Sequence, residues 1–135
     1  MPRIADYAIF TDATVKLDAS SHQWSTALPG KPLETGYHAG SRAVLMFAVS
    51  KGAGAEIPEL TVNIWSQTTA QTEKQSNVLL SNLKIMHTDR GTVHEVVQAG
   101  WLNDLSGVEF KLSGPAGFPT AVYVSDVVLI YQRDI

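Results

Sequence analysis

The segment Leu60-Thr61-Val62-Asn63-Ile64-Trp65 alternates apolar and polar residues over most of its length, and that alternation limits what the chain can become. Successive side chains on a strand point to opposite faces, so Leu60, Val62 and Ile64 share one face. Val108-Glu109-Phe110-Lys111-Leu112 repeats the pattern more cleanly. Each segment reads as a strand with one covered face and one wet face. Residues 43–49 are apolar at every position, as in a central strand. The closing segment, residues 121–131, is rich in Val, Ile and Tyr, and Ser125-Asp126 interrupts it as a candidate bulge. Residues 7–10, 14–17, 78–86 and 92–98 are further strand candidates.

No window sustains the i, i+3, i+4, i+7 apolar spacing of a buried helix. Residues 71–77 are polar all round and read as a loop, and residues 100–107 have room for one helical turn. Proline and glycine clusters at 28–32, 51–54 and 113–117 mark turns. About eight strands at near-regular spacing are the signature of a sandwich or barrel. Strands with no helices to cover them must pack sheet on sheet. The expected fold is therefore all-β: a two-sheet antiparallel β-sandwich of jelly-roll type. The 135 residues are read as a single domain, 1–135, with residues 1–14 as an extended N-terminal arm.

Composition excludes several functions. A net charge of −3 with scattered Lys and Arg leaves no basic footprint for nucleic acid or an anionic membrane surface. The absence of cysteine removes disulfides, zinc–thiolate sites and thiol nucleophiles. No apolar leader follows Met1, and the seven-residue run 43–49 is too short to span a bilayer. The expectation is a protein made in the cytoplasm of a host cell without a signal peptide. Charged residues are only 17% of the chain, below the usual share of about 25%, as when neighbours cover much of a surface.

The chemically richest stretch is His87-Thr88-Asp89-Arg90-Gly91-Thr92-Val93-His94. If Arg90-Gly91 is a two-residue hairpin turn, His87, Asp89 and His94 share one face and form a three-ligand metal set. Asp, Arg and Gly are turn residues in their own right, which favours a plain hairpin. The two histidines one residue apart that metal-binding jelly rolls carry are missing, so no metal or cofactor is expected. His22 and His38 lie in polar or glycine-containing stretches and read as surface residues. A Gly-x-Ser-x-Gly nucleophile elbow is absent, and Lys51-Gly52-Ala53-Gly54 leads into Ile57-Pro58 rather than a phosphate-binding helix. The carboxylate pairs Glu56/Glu59 and Glu109/Asp126 are the remaining acid/base candidates, with no spacing that brings either together. No enzyme activity is expected. Trp65 falls on the face opposite Leu60, Val62 and Ile64. Exposed there, it would stack on a sugar ring or anchor a protein interface.

Several segments together carry a resemblance. They are Phe10-Thr11-Asp12-Ala13-Thr14-Val15, then Pro58 through Thr69, then Asn77-Val78-Leu79-Leu80-Ser81, then Ala121-Val122-Tyr123-Val124 with Val127-Val128-Leu129-Ile130. Their order resembles the jelly-roll decoration, or cementing, proteins on the heads of tailed bacteriophages. The resemblance implies a structural protein on the outer surface of a virion capsid, a homodimer or homotrimer that binds and stabilises the major capsid protein lattice. Under it, Tyr7, Phe10 and Asp12 of the arm, with Trp65, Gln67 and Trp101, are the candidate interface residues. The final Ser125 to Gln132 resembles galactose-binding-like modules, which makes a glycan-binding module the alternative.

Overall fold

A computed structural model describes residues 3–28, 42–67, 75–98, 100–103, 105–113 and 120–134. The described residues form nine strands: β1 (Arg3–Thr11), β2 (Val15–Leu17), β3 (Gln23–Ala27), β4 (Ala43–Lys51), β5 (Glu59–Ser66), β6 (Gln75–Lys84), β7 (Gly91–Val97), β8 (Gly107–Ser113) and β9 (Val122–Asp134). No helix occurs among the described residues.

The strands make two antiparallel sheets. One runs β1-β9-β4-β7, with β2 also paired to β9, and the other runs β3-β8-β5-β6. The pairing is nested: β1 and β2 with β9, β3 with β8, β4 with β7, and β5 with β6. The chain is thus one long doubled ribbon, rolled so that alternate pairs fall in opposite sheets. This is the two-sheet antiparallel jelly roll expected from the alternation of apolar residues.

Eight strands were expected near these positions, and β3 is the one the sequence pattern passes over. Its Gln-Trp-Ser-Thr-Ala run carries only Trp24 as a large apolar residue, half-buried against Phe110 at a ring distance of 6.0 Å. Backbone pairing with β8, from Gln23 opposite Lys111 to Ala27 opposite Gly107, defines it instead. The segment read as an arm is β1, extended but paired with β9 from Arg3 opposite Asp134 to Thr11 opposite Val127. Asp12 lies in the exposed break between β1 and β2.

The core fills the space between the sheets. Leu45, Phe47 and Val49 of β4 with Val127, Leu129 and Tyr131 of β9 face Leu60, Val62 and Ile64 of β5 with Val108, Phe110 and Leu112 of β8. Phe47 meets Phe110 edge to face, with centroids 5.0 Å apart at 80°, so one aromatic pair ties layer to layer.

The bulge at Ser125-Asp126 is present. Met46 pairs with Val128 but Ala48 pairs with Ser125, so β9 uses one more residue than β4 over this step. Asp126 takes the left-handed conformation at φ 53°, which aspartate adopts more readily than most residues. The bulge keeps Val122 and Val124 on the core side along with Val127 and Leu129.

His87 to His94 is not a hairpin. The strand before it, β6, belongs to the four-stranded sheet, and the strand after it, β7, belongs to the five-stranded sheet. The stretch is a crossing between layers, pinned along its length. Ile85 N–H donates to the Pro58 carbonyl and Lys51 N–H donates to the His87 carbonyl, each at 2.9 Å. Arg90 donates to Ser125 Oγ at 3.2 Å and to Asp126 Oδ2 at 3.0 Å, joining the crossing to the bulge.

Candidate functional site

The crossing separates the histidines. His87 and Asp89 border a shallow depression of about 180 Å³ with Val49, Ile85 and Met86. His94 lies on β7 opposite Met46, on the outer face of the five-stranded sheet. The three-ligand set therefore does not form, because a ladder partner for His87 would need β6 and β7 in one sheet. Among the described residues no group of three His, Asp or Glu side chains converges. Glu109 sits opposite Asn63 on the outer face of the four-stranded sheet and accepts from its Nδ2 at 3.1 Å. Asp126 borders the opposite outer face, so that carboxylate pair is divided by the whole sandwich. Glu56 accepts a hydrogen bond from Thr120 Oγ1 at 3.1 Å. His38 lies outside the described residues.

Trp65 is not an exposed platform. It is 6% exposed, its Nε1–H donates to Ser25 Oγ at 3.1 Å, and its indole lies against Gly107. The ring points to the outer face, as its position in the alternation requires, but it lies flat across β8 towards β3. Of the other candidate interface residues, Phe10 is in the core, Trp101 is half-buried against the core, and Gln67 is half-buried with its carbonyl accepting from Asn103 Nδ2 at 3.3 Å. Tyr7 is 64% exposed, and Asp12 is exposed.

Tyr7 belongs to an extended apolar surface. On the outer face of the five-stranded sheet, the register aligns Tyr7, Ile130, Val44 and Val96 in one row across β1, β9, β4 and β7. The next row is Ile9, Val128, Met46 and His94. Seven of these eight side chains are apolar or aromatic. None lies in the core cluster, and Tyr7, Ile9 and Val96 are each more than 40% exposed. A groove of about 660 Å³ runs over this face, bordered by Tyr7, Met46, Val128 and Ile130, with Thr92, Arg90 and Asp126 at one end. Arg90 and Asp126 neutralise each other there, with both side chains more than half exposed.

Sequence reading pointed to Tyr7 and missed Met46, Val128, Ile130 and Val96. The signal was present: residues 43–49 and 127–130 are apolar at both parities. In a two-layer sandwich the core covers one face of each sheet. Apolar residues at both parities therefore mark an outer face that nothing in these strands covers.

No family model matches the sequence, and no curated protein matches it. Solved structures do match. The CBM22-1–GH10 modules of Clostridium thermocellum xylanase 10B, complexed with xylohexaose, align at a TM-score of 0.58 and 9% identity, over 95% of this chain and 26% of that one. The CBM22-1 xylan-binding domain of Paenibacillus barcinonensis Xyn10C aligns at 0.52 and 9% identity, over 96% and 94%. The infectious bursal disease virus VP2 subviral particle aligns at 0.50 and 10% identity, over 97% of this chain and 37% of that one. This chain thus spans about a quarter of the xylanase chain and over a third of VP2. At these identities the likeness shows the fold, a β-sandwich shared by carbohydrate-binding modules and viral capsid proteins.

Proposed function

We propose that this chain is a non-catalytic assembly protein, a decoration protein on the outer surface of a virion that binds and stabilises the major capsid protein lattice. The uncovered apolar face of the five-stranded sheet is the observation that carries the reading. Two rows of Val, Ile, Met and Tyr offer much area to exclude from water and few groups to hydrogen-bond a polar ligand. Large exposed apolar patches mark contact with another protein, a membrane or a ligand, and a face this poor in hydrogen-bonding groups suits a protein. Likeness of fold to VP2 is consistent with a shell, and so is the lightly charged composition. On a lattice, several linked weak contacts gain affinity through effective concentration. The test is co-sedimentation of the purified chain with shells assembled from any major capsid protein encoded in the same genome. Saturable binding and a higher shell melting temperature are expected; shells that sediment bare would sink the reading.

A second reading rests on the groove itself. Tyr7 on one wall, with Thr92, Arg90 and Asp126 at one end, gives an extended ligand one ring to stack on and a few polar partners. The xylan-binding neighbours make a β-linked glycan the ligand to try. Affinity electrophoresis in soluble xylan would show retardation that Tyr7→Ala abolishes. Unretarded migration of the parent chain removes this reading.

A further inference from the structure

We infer that the open edge of β7 accepts an extended segment of another protein as an added antiparallel strand. That segment sets a basic residue against Glu95 and a large apolar residue in the depression beside Gly91. The surface is separate from the apolar outer face, and the inference stands without the virion reading.

The edges of the two sheets differ. Among the described residues β1 and β7 end one sheet, and β3 and β6 end the other. An exposed edge invites a further strand, and folds blunt it with bulges, charges or brevity. β1 shifts register between Ile9 and Thr11 and carries the Asp6–Arg133 ion pair. β3 is five residues long. β6 shifts register twice against β5 and turns left-handed at Asn82, φ 53°. β7 has no such break. Its seven residues pair with β4 without a shift, from Val97 opposite Ala43 to Gly91 opposite Val49, and include no proline or lysine. Every second residue of an antiparallel edge turns its N–H and C=O outward. Among the described residues nothing pairs with that side of β7.

Two side-chain features define the segment that fits. Glu95 stands opposite Leu45 of the core, so it points to the core side of the sheet at its open edge. It is half-buried, and among the described residues no hydrogen bond or ion pair holds it. A lone inward charge discourages a like strand. A basic side chain directly across turns the same charge into attraction. The second feature is the depression of about 180 Å³ at the start of β7. Val49, Leu83, Ile85, Met86 and Val93 line it, and Gly91 leaves it open, since a Cβ there would touch nothing within 4 Å. Leu83 and Val93 are only partly buried, so an added strand would complete their cover. Positions 91, 93 and 95 share one face of the sheet. A strand laid antiparallel along β7 therefore presents alternate residues to Glu95, Val93 and Gly91 in turn, the last over the depression. Main-chain bonds supply affinity, and the alternate side chains supply choice. The fitting segment reads basic, any, apolar, any, large apolar.

Fluorescence anisotropy of a tagged peptide, Val-Thr-Arg-Thr-Val-Thr-Leu with a blocked C-terminus, titrated with the full chain, tests the inference. Saturable binding is expected, with alternate amides of β7 gaining protection from hydrogen exchange. Proline at the peptide's fourth and fifth positions removes two successive N–H groups, one of which any ladder must use, and is expected to abolish binding. Glu95→Lys is expected to weaken binding about tenfold and to favour a peptide with Glu in place of Arg, a reversal that a general loss of structure would not produce. Gly91→Val, on strand backbone with open space beside it, fills the depression and is expected to erase the advantage of Leu over Ala at the last position. A flat titration of the first peptide up to its solubility overturns the inference. So does binding that survives the proline pair, or that protects β1, β3 or β6 in place of β7. If Glu95→Lys fails to fold, Glu95→Gln takes its place, and unchanged affinity there counts equally against the contact. A chain that binds the peptide and leaves capsid shells bare removes the virion assignment and keeps this edge.

Discussion

Gly107 and Trp65 show how one residue position governs another across a sheet. A Cβ on Gly107 would fall within the Trp65 ring and 2.5 Å from the Thr26 carbonyl. Backbone on one side and a buried indole on the other leave no room to yield. Gly107→Ala should therefore cost about 1–3 kcal/mol from overpacking. Urea unfolding would measure the loss, and a red shift in tryptophan emission would report the displaced ring. Asp6 illustrates a charge that works at the end of the sandwich. Arg133 Nε donates to its carboxylate at 2.7 Å, and the Tyr7 N–H donates at 2.8 Å. These two hydrogen bonds, the arginine's first, hold the Asp6 carboxyl below the usual aspartate range. A carboxyl depressed in the folded state stabilises the fold above its unfolded pKa. That contribution fades as pH falls through the lowered folded value. Asp6→Asn should lower the melting temperature at neutral pH and leave it nearer the parent's in strong acid. Equal differences at both pH values would contradict this. Beside the pair, burial and then the Asp6 charge push the Tyr131 phenol up.

At the scale of elements, strands with strong alternation were legible and their partners were not. Leu60 to Ile64 and Val108 to Leu112 announce β5 and β8 because one face of each is wet. β3 was missed because edge strands need little apolar content when the neighbouring backbone supplies the hydrogen bonds. The sequence showed His87 and His94 seven residues apart across turn chemistry, and a hairpin was the local reading. Which sheet each flanking strand joins is decided by long-range pairing, β6 with β5 and β7 with β4, and no local pattern encodes that. The doubly apolar β4 was read correctly as a strand, yet its outer face is the chain's most informative surface. β1 also changes its meaning. It contributes Ala8 and Phe10 to the core and covers the edge of β9. Deleting residues 1–11 should therefore abolish cooperative unfolding. A truncated chain with the parent's circular dichroism and a sharp melt would contradict this.

Across the whole molecule, strand pairing is nested from the two ends of the chain inward. Nested pairing sets the first strand beside the last, so most native contacts join distant parts of the chain. Closing such loops costs entropy before the contacts reward it. Refolding is expected in milliseconds to seconds, as for other sandwiches, and stopped-flow tryptophan fluorescence would measure it; microsecond refolding would contradict the nested order.

Arg3 stands directly opposite Asp134 in the ladder. Anything fused ahead of the first strand or behind the last leaves the molecule from the same corner, away from the bulge end. A short linker joining those two points would close the backbone into a ring, and fresh ends could be opened between β5 and β6, at the far tip of the doubled ribbon. Such a permuted chain would keep every strand pair while shortening the separation between the outermost ones, and so would turn the slowest closure in the molecule into a local one.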